Sequence, residues 1–117
     1  MIYPSEQVKL IHNLVSDASF AHIDTAVDKV AAMLFNGYLS KKPSVVFGNG
    51  GSASDASHFA AELICSFDKV NRPAFPLISL SSDPSILTAW SNDFDFSGVF
   101  SRQISSFGSN LSCAIGL

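Results

Sequence analysis

The chain has 117 residues, a formal net charge of −3 and a residue content that is 47% hydrophobic. That length suits one small domain, and that apolar content favours a packed core over disorder. The seven basic residues are scattered, which argues against nucleic acid or an anionic membrane as partner. An anionic ligand would have to be held by local groups and not by a global field.

Cys65 and Cys113 lie far apart without metal-ligand spacing, so two buried thiols in a reducing cytoplasm are expected. The start, Met1-Ile2-Tyr3-Pro4 followed by Glu6 and Lys9, lacks the pattern of a secretory signal. No apolar run approaches the length of a membrane span. Ser5 is a fair N-cap for a first helix carrying Val8, Ile11, Val15 and Ala18 at helical spacing. A second helix is predicted over Asp24 to Leu39, with Val27, Val30, Ala31, Leu34 and Phe35 as its apolar stripe and Gly37 fraying its end. Lys41, Lys42 and Pro43 break the chain.

Ser44 to Phe47 reads as a short buried strand between Pro43 and Gly48. A glycine-rich turn leads to a helix predicted from Ser54 to Phe67. A loop begins at Asn71-Arg72-Pro73, and Leu77 to Leu80 is the next strand. Asp83 can cap a helix through Trp90. A further helix is predicted over Val99 to Phe107, then a turn at Gly108 to Asn110 and a third buried strand over Ser112 to Leu117. Trp90 and the phenylalanines read as core. Strand, helix, strand, helix, strand predicts an α/β parallel sheet, whose ligands bind beyond the carboxyl ends of the strands.

Gly48-Asn49-Gly50-Gly51-Ser52 falls between a predicted strand and a predicted helix. Glycines there let backbone N–H groups approach an anion, the helix N-terminus adds its positive end, and Ser52 can donate a hydroxyl. The alternative is a tight turn with Ser52 as N-cap and Asp55 in a capping-box role. The run is neither a Walker loop nor a dinucleotide fingerprint. Asp55, His58 and Glu62 follow at offsets of three and four, on one helix face and near the loop. They could place a carboxylate within a sugar's length of a bound phosphate. A His and a Glu four apart can share a proton or supply two metal ligands; they are equally an ordinary charged face. Asn92-Asp93 suits a helix-ending turn.

Residues 48 to 63, reading Gly-Asn-Gly-Gly-Ser-Ala-Ser-Asp-Ala-Ser-His-Phe-Ala-Ala-Glu-Leu, resemble the hallmark of the sedoheptulose 7-phosphate (phosphoheptose) isomerase family of sugar isomerase (SIS) domains. The similarity continues through Asn71-Arg72-Pro73, Leu87-Thr88-Ala89, Asn92-Asp93-Phe94 and Phe100-Ser101-Arg102-Gln103. The resemblance implies a parallel-sheet three-layer sandwich, usually a homotetramer in the cytoplasm. Its implied reaction turns sedoheptulose 7-phosphate into a manno-heptose 7-phosphate for lipopolysaccharide and related glycans. It further implies that Glu62 is the catalytic base and that Asn49, Gly50, Gly51, Ser52, Glu62, Asn92 and Asp93 contact substrate. In zinc-binding members the positions of His58 and Glu62 are ligands. The implied organisation is one SIS domain over 1–117, with leading helices in 1–42 and a βαβαβ core in 43–117. This is the N-terminal part of the family's domain, ending after the third strand, and so is expected to have little or no turnover alone. The family's Arg shortly after the base is absent from Leu63-Ile64-Cys65-Ser66-Phe67, which admits a different phosphosugar. A non-catalytic relative that binds a phosphosugar or a replication initiator is the rival reading, and the presence of Glu62 favours the enzyme.

Overall fold

The computed structural model describes residues 23–65, 69 and 71–117. The helix expected from Ser5 lies outside them. Three parallel strands with intervening helices follow one another in the predicted order. The sheet and both cavities described below lie within Ala32–Leu117, which packs as one compact unit. Up to Ala31, the described residues are the first turns of one helix.

That helix, α1, spans Ile23–Leu39. Gly37 does not fray it. Gly37 is buried inside the helix, where a Cβ would come within 2.8 Å of Ser112, so its lack of a side chain lets the segment before the last strand pass close by. Of the expected apolar stripe, Leu34 is buried, whereas Val27 and Phe35 are more than half exposed. The Phe35 ring stacks on Tyr38, which in turn meets Phe75 at 5.0 Å.

Strand β1 (Ser44–Phe47) is the centre of the sheet, between β2 (Leu77–Ser79) and β3 (Ala114–Gly116). Its position explains its composition. Val45 and Val46 are fully buried, as a strand covered on both faces must be. Buried Ser44 is satisfied by the Cys113 thiol, which donates to its Oγ at 3.2 Å. The register pairs Ser44 with Leu77 on one side and Val45 with Ala114 on the other. The third strand is shorter than expected and is not buried: Ala114 and Gly116 are exposed, because among the described strands β3 pairs with β1 alone. Cys113, just before it, is buried, but Cys65 is exposed, so only one of the two thiols fits the expectation.

Helix α2 (Gly51–Ile64) starts three residues before the expected Ser54. Gly50 is the reason. It adopts φ 57° and ψ −123°, a conformation natural only to glycine, and turns the chain so that Gly51 is already helical. Helix α3 (Pro84–Asp93) begins as read: Asp83 accepts from the N–H groups of Ser85 at 2.8 Å and Ile86 at 3.3 Å, with Pro84 in the first turn. Asp83→Ala is expected to cost about 1 kcal/mol, seen as a lower urea midpoint at unchanged slope. The helix runs past Trp90 to Asp93 because no breaker intervenes and the Phe94 N–H still reaches the Trp90 carbonyl.

Contrary to expectation, none of the described aromatic residues is fully buried; they are half-buried or exposed. Phe47 packs on Phe100 at 4.8 Å, but Phe94 is 71% exposed while stacked on half-buried Trp90. Asp95 caps a short 3-10 turn, Phe96–Gly98, and its bonds from the Ser97 backbone and hydroxyl hold its carboxyl below the usual carboxylate range. Helix α4 (Val99–Ser105) buries Val99, and its Gln103 side chain donates to the Leu80 carbonyl at 3.1 Å, tying the helix to the end of β2. A second 3-10 turn, Gly108–Asn110, leads to β3.

Candidate functional site

The glycine-rich loop sits at the carboxyl end of the central strand, the position at which open parallel sheets bind ligands. Gly48 is held from the side. The Ser81 hydroxyl accepts from the Gly48 N–H at 3.1 Å and donates to the Gly48 carbonyl at 2.8 Å. One side chain thus continues the β1–β2 pairing beyond the last strand residues and fixes the start of the loop. Asn49, Gly50 and Gly51 are exposed. Ser52 is not the cap it could have been; Gly50 occupies that position and no side chain caps the first turn of α2. Nor does that turn hold a carboxylate. Its leading N–H groups keep their dipole end without a competing anion, which is the arrangement an anionic ligand needs.

Asp55, His58 and Glu62 share one face of α2, as their spacing predicted. They line a cavity of about 450 Å³ with Phe59, Leu63 and Arg72. His58 Nε2 and Glu62 Oε1 are 3.7 Å apart; the His58 side chain is 78% exposed, whereas that of Glu62 is 32% exposed. A carboxylate held half out of water beside an imidazole can accept and return a proton. The distance to the loop distinguishes the two carboxylates of this face. At 1.5 Å per residue, Asp55 lies about 6 Å along the helix axis from Gly51 but Glu62 lies about 16 Å away. The carboxylate near a ligand on the loop is that of Asp55.

The pair does not complete a zinc site. Among the described residues no group of three or more His, Cys, Asp or Glu side chains could hold a metal, and zinc takes three or four ligands. Asn92 and Asp93 form the last two positions of α3, both exposed, with the Asn92 amide donating to the Asp93 carboxylate at 3.1 Å. The structure therefore gathers Asp55, His58 and Glu62, and leaves Asn49 to Ser52 and Asn92-Asp93 outside the lining of their cavity.

A larger cavity of about 560 Å³ opens beside β2, lined by apolar Ile78, Leu80, Ile86 and Phe107 among others. Asp83 and Gln103, also in its lining, are engaged in capping and bridging, whereas the smaller cavity gathers Asp55, His58 and Glu62. Two residues escaped the sequence reading. Arg72 was visible only as a loop residue within the family similarity, with no role of its own, and Ser81 was not singled out; their partners lie 10 and 33 positions away. The one available signal was that α2 has no basic residue in its last turn.

Comparison with known proteins decides the family: residues 5–110 match the SIS domain. The chain belongs to the SIS domain family. Among curated relatives, this SIS domain is similar to the phosphoheptose isomerase of Citrifermentans bemidjiense, with 37% identity over 106 residues, covering 91% of the chain and 55% of the relative. It is 51% identical to the Pelobacter propionicus phosphoheptose isomerase over 75 residues, covering 64% of the chain and 39% of that protein. Its fold is similar to the solved phosphoheptose isomerase from Neisseria gonorrhoeae, with a TM-score of 0.73, 28% identity, and 97% of the chain against 60% of that one. The corresponding enzyme from Francisella tularensis gives a TM-score of 0.66 at 27% identity, covering 87% and 56%. The SIS domain thus spans about half the length of the curated relatives it matches. The α/β parallel-sheet fold read from the sequence is the fold these structures share. No described helix is long and apolar enough to cross a membrane.

Proposed function

We propose that this SIS domain serves a phosphosugar isomerase that converts sedoheptulose 7-phosphate to D-glycero-D-manno-heptose 7-phosphate, for heptose and lipopolysaccharide synthesis in the cytoplasm. The observation that carries the reading is Glu62, half-buried beside His58 on the helix that starts at the glycine loop. Its carboxylate takes a proton from C1 of the ketose, leaving an enediol, and returns a proton to C2; the hydroxyl proton passes from O1 to O2. No atom is gained or lost. Asn49, Gly50, Gly51 and Ser52 hold substrate oxygens through backbone and hydroxyl donors, and Asn92 and Asp93 add polar contacts.

His58 and Glu62 offer two ligands to zinc. The described residues supply no third, so no step is routed through the metal. A homo-oligomer, a tetramer on the resemblance, is supported by the exposure of Leu39, Phe94 and Phe96. The names of the relatives support the isomerase over the binding-protein alternative. The test is conversion of sedoheptulose 7-phosphate followed by proton exchange at C1 and C2. Binding without exchange would favour the non-catalytic reading.

A further inference from the structure

Helix α2 ends at Ile64, and its closing carbonyls have no intrahelical partner. The Cys65 N–H takes the Ala61 carbonyl at 2.8 Å. The next two carbonyls, of Glu62 and Leu63, are claimed by a side chain from the returning loop. Arg72 Nη2 donates to the Glu62 carbonyl; Nη1 donates to the Leu63 carbonyl at 2.8 Å and to Pro73 at 3.0 Å. The Phe75 N–H adds a second bond to Leu63 at 3.1 Å, and the Phe75 ring lies 5.4 Å from the guanidinium carbon. The helix has no basic residue of its own in its last turn, so Arg72 also supplies the cation that its negative end favours.

We propose that Arg72 is a positioning residue for Glu62. It grips the backbone of the proposed base itself and the residue after it, and it lines the same cavity as the Glu62 side chain. Two adjacent carbonyls on one guanidinium fix both the rotation of the last helical turn and its distance from the loop. That sets where the carboxylate points. A lysine keeps the charge but presents a point donor in place of the planar fork, so it holds one carbonyl and frees the turn to rotate. The proposal rests on the isomerase reading. It adds a residue whose effect passes through Glu62 and not through the substrate.

The test compares wild type, Arg72→Lys and Arg72→Gln in steady-state kinetics on sedoheptulose 7-phosphate, with Leu34→Ala, a buried residue of α1 remote in role from the site, as a stability control. Misplacing a reacting group by a fraction of its reach costs about 10- to 100-fold in rate. Arg72→Lys is expected to lose about that much in kcat while KM stays within about twofold. Leu34→Ala is expected to melt earlier yet keep its kcat below its transition. An active wild type beside an unimpaired, folded Arg72→Lys or Arg72→Gln overturns the proposal alone, as does an equal kcat loss in Leu34→Ala at a matched drop in melting temperature. A wild-type protein that neither binds sedoheptulose 7-phosphate nor exchanges its C1 proton overturns the isomerase reading and the proposal with it.

Discussion

Glu62→Gln is expected to reduce turnover of sedoheptulose 7-phosphate by about 100- to 10,000-fold, the range lost when a positioned general base is removed. The substitution keeps volume, helix propensity and hydrogen-bonding length but removes the group that can hold the proton. Stability should stay within about 0.5 kcal/mol, because the side chain is not fully buried and its partner His58 is 78% exposed, so the pair contributes little. KM should move less than kcat, since most of the assigned substrate contacts are those of the loop and of Asn92 and Asp93. Proton exchange between C1 and C2, followed separately from net turnover, checks whether abstraction itself has been lost. Wild-type kinetics in Glu62→Gln would remove Glu62 as the base.

The residues that carried the fold were those whose local chemistry and tertiary place agree. Val45 and Val46 read as a buried strand because an apolar run between Pro43 and Gly48 has few other solutions, and the structure buries both completely. Asp83-Pro84 announced a helix start by a mechanism internal to a few residues. Glycine misled in both directions. Gly37 read as a frayed end, although it marks a close approach by Ser112, 75 positions on. Gly51 read as turn, although Gly50 alone makes the turn. The face of Asp55, His58 and Glu62 was legible from spacing, since helical offsets place side chains without tertiary knowledge. What spacing could not supply was the far wall of the cavity. Arg72 arrives from a loop through bonds to backbone carbonyls, which have no sequence signature. Ser81 arrives from beyond β2 in the same way. Exposure of Phe94 and Phe96 was unreadable for a different reason: an aromatic residue in a sequence looks the same whether its ring meets the core or the solvent.

Gly48→Ala is the second large effect expected, and it falls on stability and binding together. A Cβ at Gly48 would stand 2.6 Å from the Ser52 Cβ and 2.9 Å from the Ser52 carbonyl carbon and oxygen. None of these contacts can be eased by a rotamer change, because the Ser52 Cβ is fixed by its backbone and the other two atoms are backbone in the first turn of α2. Gly48 cannot retreat either, because Ser81 holds both its N–H and its carbonyl from the other side. The strain must therefore move the start of α2 away from β1, and overpacking of this kind costs about 1–3 kcal/mol or more. The displaced turn is the one that carries Asn49 to Ser52, so affinity for a sugar phosphate should fall with stability. Gly51→Ala supplies the contrast. Its added methyl meets nothing within 4 Å, and alanine is the better helix former, so the fold should keep or gain stability by up to about 1 kcal/mol. Any loss of phosphosugar affinity in Gly51→Ala then reports the close approach of ligand to backbone, with the fold intact. Urea melts and calorimetric titration of both variants separate the two effects. A Gly48→Ala protein that melts and binds like wild type would mean that the Gly48–Ser52 contact is not what sets the loop.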